Sequence, residues 1–393
     1  MTGVHRITAV ALPMGPEGVH DLDFRDGICV AVRRSRHDTA RALVIPALVE
    51  AHCHLDKCYS AHRMPAIGGD LAAALNLQRQ DKVHWTADDL RARAEAGLQD
   101  YADAGTHRVR SHVDWNEGPE PPLAWSVLEE LATGWRDRLH LQRAALVSPD
   151  LLCQPDVAEA IARAIPDSAA LGLFIHGHAN LQEAIRSAFR LADRFGFALD
   201  FHVDEGLDPA LNGLEVIADV ALDTGFEGPV LCGHSCSLIL RDAASFARIA
   251  DKLARAGVAV VSLPTTNLYL QGRTHGTPDR RGITRIKELV RAGVTVAIGS
   301  DNVADAFCPV GQHDPMAALH LAVLAGHLDP PLDQWLPLVT TNPLRALGHT
   351  PPELIGTPVQ DLRVSRARDV GALIAGRAGP LEQLEGVALE LVS

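Results

Sequence analysis

From Leu43 nearly to Gly348, short β-rich apolar runs alternate with amphipathic helical stretches, and this alternation restricts the chain to a parallel sheet with crossover helices. Strands are expected at 43–50, 107–112, 140–146, 171–175, 198–202, 230–232, 258–262 and 294–299. Eight such strands close a (β/α)8 barrel. Between them, apolar residues recur at three- and four-residue spacing over 87–104, 157–165, 181–195, 214–223, 241–256 and 283–292, the period of a helix with one buried face. A doubly wound open sheet alternates in the same way, so the choice between the two falls to the motifs. The chain ends read differently: residues 1–42 and 355–393 hold short strand-like runs (ITAVAL, ICVAVR, GALIAG, VALELV) broken by Gly, Pro and charge. They are expected to pair into one small β-sandwich domain, leaving 43–354 for the barrel.

Composition removes several functional classes. Against 49 acidic residues stand 36 basic ones, a formal charge of -13 with no basic patch, so neither nucleic acid nor an anionic lipid surface is an expected partner. No apolar stretch approaches the length of a membrane span, and the opening MTGVHRITAVALPMGPEG lacks the pattern of a secretory leader, so a cytoplasmic location is expected. The 7 cysteines, an odd number without a CxxC pair, fit reduced thiols and exclude zinc fingers and ribbons. Cys53, Cys232, Cys236 and Cys308 are expected to be small buried packing groups.

Chemistry enters at the ends of the expected strands. His52-Cys53-His54 follows the apolar run LVIPALVEA, and residues two apart on a strand point the same way, so both imidazoles can face one metal ion. His202 ends the fifth strand in FALDFHVDEGLDP, and Glu205 follows it at the barrel mouth, where a carboxyl can carry a proton. GPVLCGHSCSL places His234 beyond the sixth strand, and VTVAIGSDN places Asp301 beyond the eighth. Each motif alone fits an ordinary surface residue equally well. Their joint occurrence at four strand ends, all on the face where barrels carry catalysis, points to one metal-assisted site.

At this point the chain resembles the amidohydrolase superfamily, and within it the cytosine deaminase-like branch. The resemblance is carried by VEAHCHLDK, GTHRVRSHVD, DFHVDE, the His234 segment, LPTTNLYLQGR, RRGITRIKELVRAGV and IGSDNVADAFCPVG. It implies a distorted eight-stranded barrel with one divalent metal ion, zinc or else iron, held by His52, His54, His202 and Asp301. It further implies that Glu205 shuttles protons, that His234 orients water, and that Asp301 also accepts the water proton. The expected activity is hydrolytic removal of an exocyclic amine, as ammonia, from a small cyclic amidine such as a pyrimidine, triazine, pterin or creatinine-like ring. Two-metal relatives bridge their ions with a carboxylated lysine at the fourth strand; the segment here reads LGLFIHGHAN, without lysine, which favours a single ion. His176 and His178 in that segment are expected to line the pocket or the surface.

Departures from the family pattern bear on the substrate. Where cytosine-hydrolysing members read the ring edge with a Gln after the third strand, the aligned position in LQRAALVSPD is Ser148. Its hydroxyl is shorter and cannot make the same paired contact, so cytosine itself is disfavoured. The residue after Asp301 is the neutral Asn302. Trp115, Asn267 and Gln271 are expected on loops at the catalytic face as further substrate contacts, His112 and Asp114 as neighbours of the metal ligands, and Asp56 and Lys57 as braces of the loop after them. Two alternatives stand beside deamination: ring-opening hydrolysis of a cyclic amide, and a non-catalytic metal-binding barrel. A homo-oligomer is compatible with an enzyme of this size.

Overall fold

The computed structural model of the protein describes residues 4–65, 67–115, 117–176 and 178–384. Its centre is an eight-stranded parallel sheet whose strands follow one another in chain order: Leu48–Cys53, Thr106–Asp114, His140–Val147, Ala170–Ile175, Ala198–Val203, Val230–His234, Ala259–Ser262 and Val296–Ile298. Helices lie between successive strands, which is the connection a parallel pair requires. The first and last strands meet through a parallel bridge between Cys53 and Asp301, with the Asp301 amide donating to the His52 carbonyl at 3.1 Å. The sheet therefore closes into the distorted barrel expected from the alternation, with a short seam between its first and eighth strands.

The outer helices form where the sequence repeats its apolar residues. Leu181–Phe195 buries Ala184, Ile185, Ala188, Phe189 and Ala192 on one face and stops at Gly196, whose φ of 76° sustains a left-handed cap. Ala243–Arg255 starts at Asp242, whose carboxylate accepts from the Ala244 and Ser245 amides.

A second sheet, separate from the barrel, is built from the two chain ends. Its order is Glu382–Gln383, Leu362–Ser365, Ala42–Pro46, Val4–Ala11, Val19–Arg25, Ile28–Arg34. Asp26 and Gly27 join the last two strands with φ values of 51° and 77°, the positive pair that a two-residue hairpin demands. Ile7, Val10, Leu22, Phe24, Val44 and Val364 form a core of its own.

The strand-like reading of the sequence departs from the structure in two places. The run 43–50 is two strands: Ala42–Pro46 pairs in the terminal sheet and Leu48–Cys53 opens the barrel. Pro46 has no amide hydrogen to continue a ladder, so the chain changes sheets there. GALIAG is not a strand; it falls on the short helix Val370–Ile374, started by Asp369 accepting from the Ala372 amide. VALELV lies outside the described residues. Among the described residues no helix is long and apolar enough to cross a membrane.

Candidate active site

The carboxyl ends of the barrel strands gather five buried histidines around one carboxylate. His52 and His54 leave the first strand, His112 the second, His202 the fifth and His234 the sixth, and all are at most 4% exposed. Ring nitrogens of His52, His54, His112 and His202 lie within 4.8 Å of one another, and so do donor atoms of His52, His234 and Asp301. The Nε2 atoms of His54 and His202 face each other at 3.0 Å. Asp301 Oδ1 stands 3.4 Å from His54 Nε2 and 3.6 Å from His52 Nε2.

These groups are short of partners inside the protein. Both Asp301 oxygens and both His52 nitrogens are buried without a hydrogen bond. Burying a carboxylate and several imidazole lone pairs in this way is costly unless a cation joins them. Burial also pushes His52, His54 and His202 well below the ordinary imidazole range, which leaves them neutral, the state in which histidine ligates metal. The donor set of His52, His54, His202 and Asp301 therefore fits a divalent ion. His112 is the fourth imidazole of the cluster, and the sequence reading gave it only a neighbour's place; its Nε2 lies 3.1 Å from Asp200 Oδ1. Although burial opposes it, His112 and Arg110 hold the Asp200 carboxylate down to about 2.

Backbone geometry shows how closely the cluster is fitted. His234, Ser235, Asp204 and Asp301 have φ values of 64°, 52°, 53° and 61°, a left-handed region that non-glycine residues seldom occupy. Gly233 makes room for the first strand: a β-carbon there would stand 2.6 Å from the Cε1 of His52. Between the first and eighth strands Glu50, fully buried, accepts from the amides of His52 and Ser300, both at 2.9 Å, and from the Ser300 hydroxyl at 2.7 Å. A single Glu in an apolar run carries no period of its own, so nothing local in the sequence signals this role.

A cavity of about 220 Å³ opens onto this cluster. His54, His202, Glu205 and His234 form one end, and Trp115, Ser148, Phe174, Asn302 and Phe307 line the remainder. Glu205 Oε1 is 3.5 Å from His234 Nδ1, and Asp301 Oδ2 is 4.0 Å from the same nitrogen. Burial, with the Asp301 charge nearby, pushes Glu205 well above the usual carboxyl range, and burial pushes His234 down to about 3. A carboxyl that holds its proton beside an imidazole that lacks one can give a proton to a bound base.

The remaining expected contacts divide into two groups. Ser148, Trp115 and Asn302 face the cavity, although Asn302 Nδ2 is already engaged with Asp305 Oδ2 at 2.6 Å. Asn267 and Gln271 are not among its lining residues: Asn267 lies on the helix Pro264–Leu270 with its Nδ2 at 3.1 Å from His234 Nδ1, and Gln271 Nε2 reaches the Glu205 carbonyl at 3.5 Å. Their amides adjoin His234 and Glu205 from outside the cavity. Lys57, read as a loop brace, pairs with Asp114 at 2.8 Å and also lines the cavity. Asp56 accepts from the Asp114 amide at 3.0 Å. His178 lines the cavity as well. The segment after Ala61 folds into the helix Leu71–Asp81, which packs Leu71 and Ala74 on Leu270 and Phe307 and brings Leu75 to the cavity wall.

The chain is 34% identical over 317 residues to the pterin deaminase of Rhizobium rhizogenes, covering 80% of this chain and 72% of that one. The crystal structure of 5-methylcytosine deaminase from Klebsiella pneumoniae liganded with 5-fluorocytosine superimposes with a TM-score of 0.83 at 28% identity, covering 96% of each chain. N-isopropylammelide isopropylaminohydrolase from Burkholderia multivorans shares the fold, with a TM-score of 0.78 at 21% identity over 98% of this chain and 97% of that one. Residues 78–351 match the Amidohydrolase family, and with a relative of this likeness spanning most of the chain, the protein belongs to that family.

Proposed function

We propose that the protein is a metal-dependent hydrolytic deaminase that removes an exocyclic amine from a small N-heterocyclic amidine, with an aminopterin-type ring as the substrate class and cytosine disfavoured. The observation that carries this reading is the convergence of Glu205, His234 and Asp301 with three neutral imidazoles at one end of a cavity large enough for a ring. The likeness to a pterin deaminase supports the choice of ring. So does Ser148, whose short side chain leaves more room than a Gln beside the aromatic walls of Phe174, Phe307 and Trp115.

His52, His54, His202 and Asp301 would hold a divalent ion, zinc being our first assignment and iron the second, and the ion would supply a Lewis acid that lowers the pKa of water toward neutrality. Asp301 accepts the proton that the attacking water loses. His234 fixes the direction of that water toward the ring carbon bearing the amine. Glu205 donates a proton to the adjacent ring nitrogen, so no negative charge accumulates there as the carbon becomes tetrahedral. The proton taken by Asp301 then goes to the amine, ammonia leaves, and the carbon keeps a carbonyl oxygen from water as the remaining hydroxyl proton returns to Glu205. Asn267 and Gln271, through His234 and the Glu205 carbonyl, hold these two residues in position.

The reading is tested by ammonia release from pterin, 5-methylcytosine, cytosine, an aminotriazine and creatinine, with Asp301→Ala as control. Release from pterin that the variant abolishes is the expected outcome. Release from none of the rings by metal-loaded protein would overturn it, and a new carboxylate from a cyclic amide would replace it with ring opening.

A further inference from the structure

Asn302, on the cavity wall, is held by a loop that folds back on itself. Its backbone amide donates to the Thr266 hydroxyl at 3.2 Å, and its Nδ2 donates to Asp305 Oδ2 at 2.6 Å. Asp305 is fully buried and is not among the cavity-lining residues. Its Oδ1 accepts from the amides of Phe307 at 2.8 Å and Cys308 at 3.1 Å, and its own amide donates to the Cys308 carbonyl at 3.3 Å. Gly311 closes the same loop, where a β-carbon would stand 2.1 Å from the Asn302 carbonyl oxygen.

A carboxylate accepts hydrogen bonds and cannot donate one, so the group facing Asp305 must be the NH2 of Asn302, and the amide cannot turn over. Burial pushes Asp305 up to about 7, against the pull of the Asn302 amide, so it is ionised in mildly basic solution. Among the described residues no donor bonds Asn302 Oδ1, and this oxygen is not one of the buried atoms sealed off without a partner. It therefore faces the cavity that Asn302 lines and offers a bound ring one acceptor of fixed direction. Glu205 lies beyond the fifth strand and Asn302 beyond the eighth, three strands away around the barrel, so the two address different sides of a ring.

We infer that Asp305 is a positioning residue that makes Asn302 an acceptor for a ring N–H. The site thereby selects rings whose amine-bearing carbon lies between a bare nitrogen, which Glu205 protonates, and an N–H, which Asn302 Oδ1 accepts. This rests on the deaminase reading for what is removed, while the edge that is read stands on the geometry of Asp305 and Asn302. Isocytosine and pterin, with their 2-amino-4-oxo pattern, present that edge. Cytosine carries a C–H in place of the N–H and leaves the oxygen without a donor, a loss independent of Ser148.

Titration calorimetry on the metal-loaded full chain, at about pH 8.5 to keep Asp305 ionised, tests this with two bicyclic rings, 4-quinazolinone and quinazoline. Neither carries an amine, so no ammonia can be released. The first presents a bare nitrogen and an N–H on the two sides of one carbon, the second two bare nitrogens. The parent is expected to bind 4-quinazolinone at least about tenfold more tightly than quinazoline. In Asp305→Asn the new amide oxygen must still meet the Phe307 and Cys308 amides, so its NH2 takes the place of Oδ2, the Asn302 amide turns over, and a donor faces the cavity. The preference should then move toward quinazoline by at least about tenfold. A merely structural loss would weaken both rings alike, and an unchanged ratio overturns the inference, as does a parent that binds the two equally or binds neither. If Asp305→Asn fails to fold, Asn302→Ala decides: loss of the preference supports the inference, and its retention refutes it. Ammonia release tests the deaminase reading separately, since a parent that discriminates these two rings yet deaminates none supports the inferred edge and sinks that reading.

Discussion

Glu50→Gln should weaken metal binding without touching a ligand. Glu50 Oε1 accepts from the His52 amide and Oε2 from the Ser300 amide and hydroxyl, so this one carboxylate joins the strand that carries His52 to the turn that carries Asp301. Glutamine keeps the volume but exchanges one acceptor oxygen for an NH2 group, which must face either one amide donor or the other. A buried donor left without an acceptor costs about 1–3 kcal/mol, so the variant should lose about that much stability. That is well inside the roughly 5–15 kcal/mol by which domains are stable, so the protein should still fold. Glu50→Ala removes acceptors for both amides and leaves a void, and should cost about 3–6 kcal/mol by the same reasoning. Because the seam sets the separation of His52 and Asp301, Glu50→Gln should also lower metal affinity by about 10- to 100-fold, the range seen when groups that hold ligands in place are changed. Competition with a chromophoric chelator measures the affinity, and the cobalt-substituted spectrum reports the ligand geometry independently of stability. A variant that loses stability yet binds metal within about twofold of the parent, with an unchanged spectrum, would refute the positioning role.

Other expectations follow from the same geometry. Glu205→Gln should retain the metal but lower kcat by about 10²- to 10⁴-fold, as loss of a proton donor does; full activity in steady-state assays would remove Glu205 from the reaction. Dialysis against a strong chelator should abolish ammonia release, and zinc or iron added back should restore it. Re-addition should also raise folding stability by about 2.7 kcal/mol when free metal is 100-fold above its Kd, measured by denaturant titration. A metal-independent melting curve would argue against the cluster as a site. Ser148→Gln should shift the kcat/KM ratio of cytosine to pterin by about tenfold or more toward cytosine, because a buried amide edge gains paired contacts; no shift would mean that Ser148 does not read the ring.

The parts of this site that the sequence made legible are those whose physical cause is local. His52 and His54 stand two apart at the end of an apolar run, and His202, His234 and Asp301 each follow one, so strand alternation alone brings them to one face of a barrel. The parts that were not legible depend on partners distant in sequence. His112 joins the imidazole cluster, and Asp200 lies beside it, only because the second and fifth strands face each other across the barrel interior, where Arg110 and Asp200 also pair at 2.8 Å. Short elements escaped for another reason. Val370–Ile374 is five residues long, too few to show a helical period, and it is held by its Asp369 cap and by Ala372, Leu373 and Ile374 in the main core. The change of sheet at Pro46 was written in the sequence, but the apolar run on both sides of it read as one strand.

Strain and burial at the site have a common origin. A barrel strand delivers side chains alternately inward and outward, so a ligand beyond the last ladder position can turn toward the centre only if the backbone departs from extended geometry. His234 and Asp301 do this with positive φ, and each such residue costs on the order of 1–3 kcal/mol that the surrounding fold must offset. The bridge from Cys53 to Asp301 and the bonds to Glu50 hold the Asp301 turn, while the His234 turn is held by the Ser235 amide donating to the Val203 carbonyl at 2.9 Å. The two strained residues are thus each tied to the neighbouring strand that carries a different ligand, His52 in one case and His202 in the other. Ligand spacing is consequently set by strand pairing and not by the loops. Under the proposed function, substitutions at cavity-lining positions such as Ser148 and Trp115 should therefore alter the ring that is recognised and leave the histidine cluster as it is.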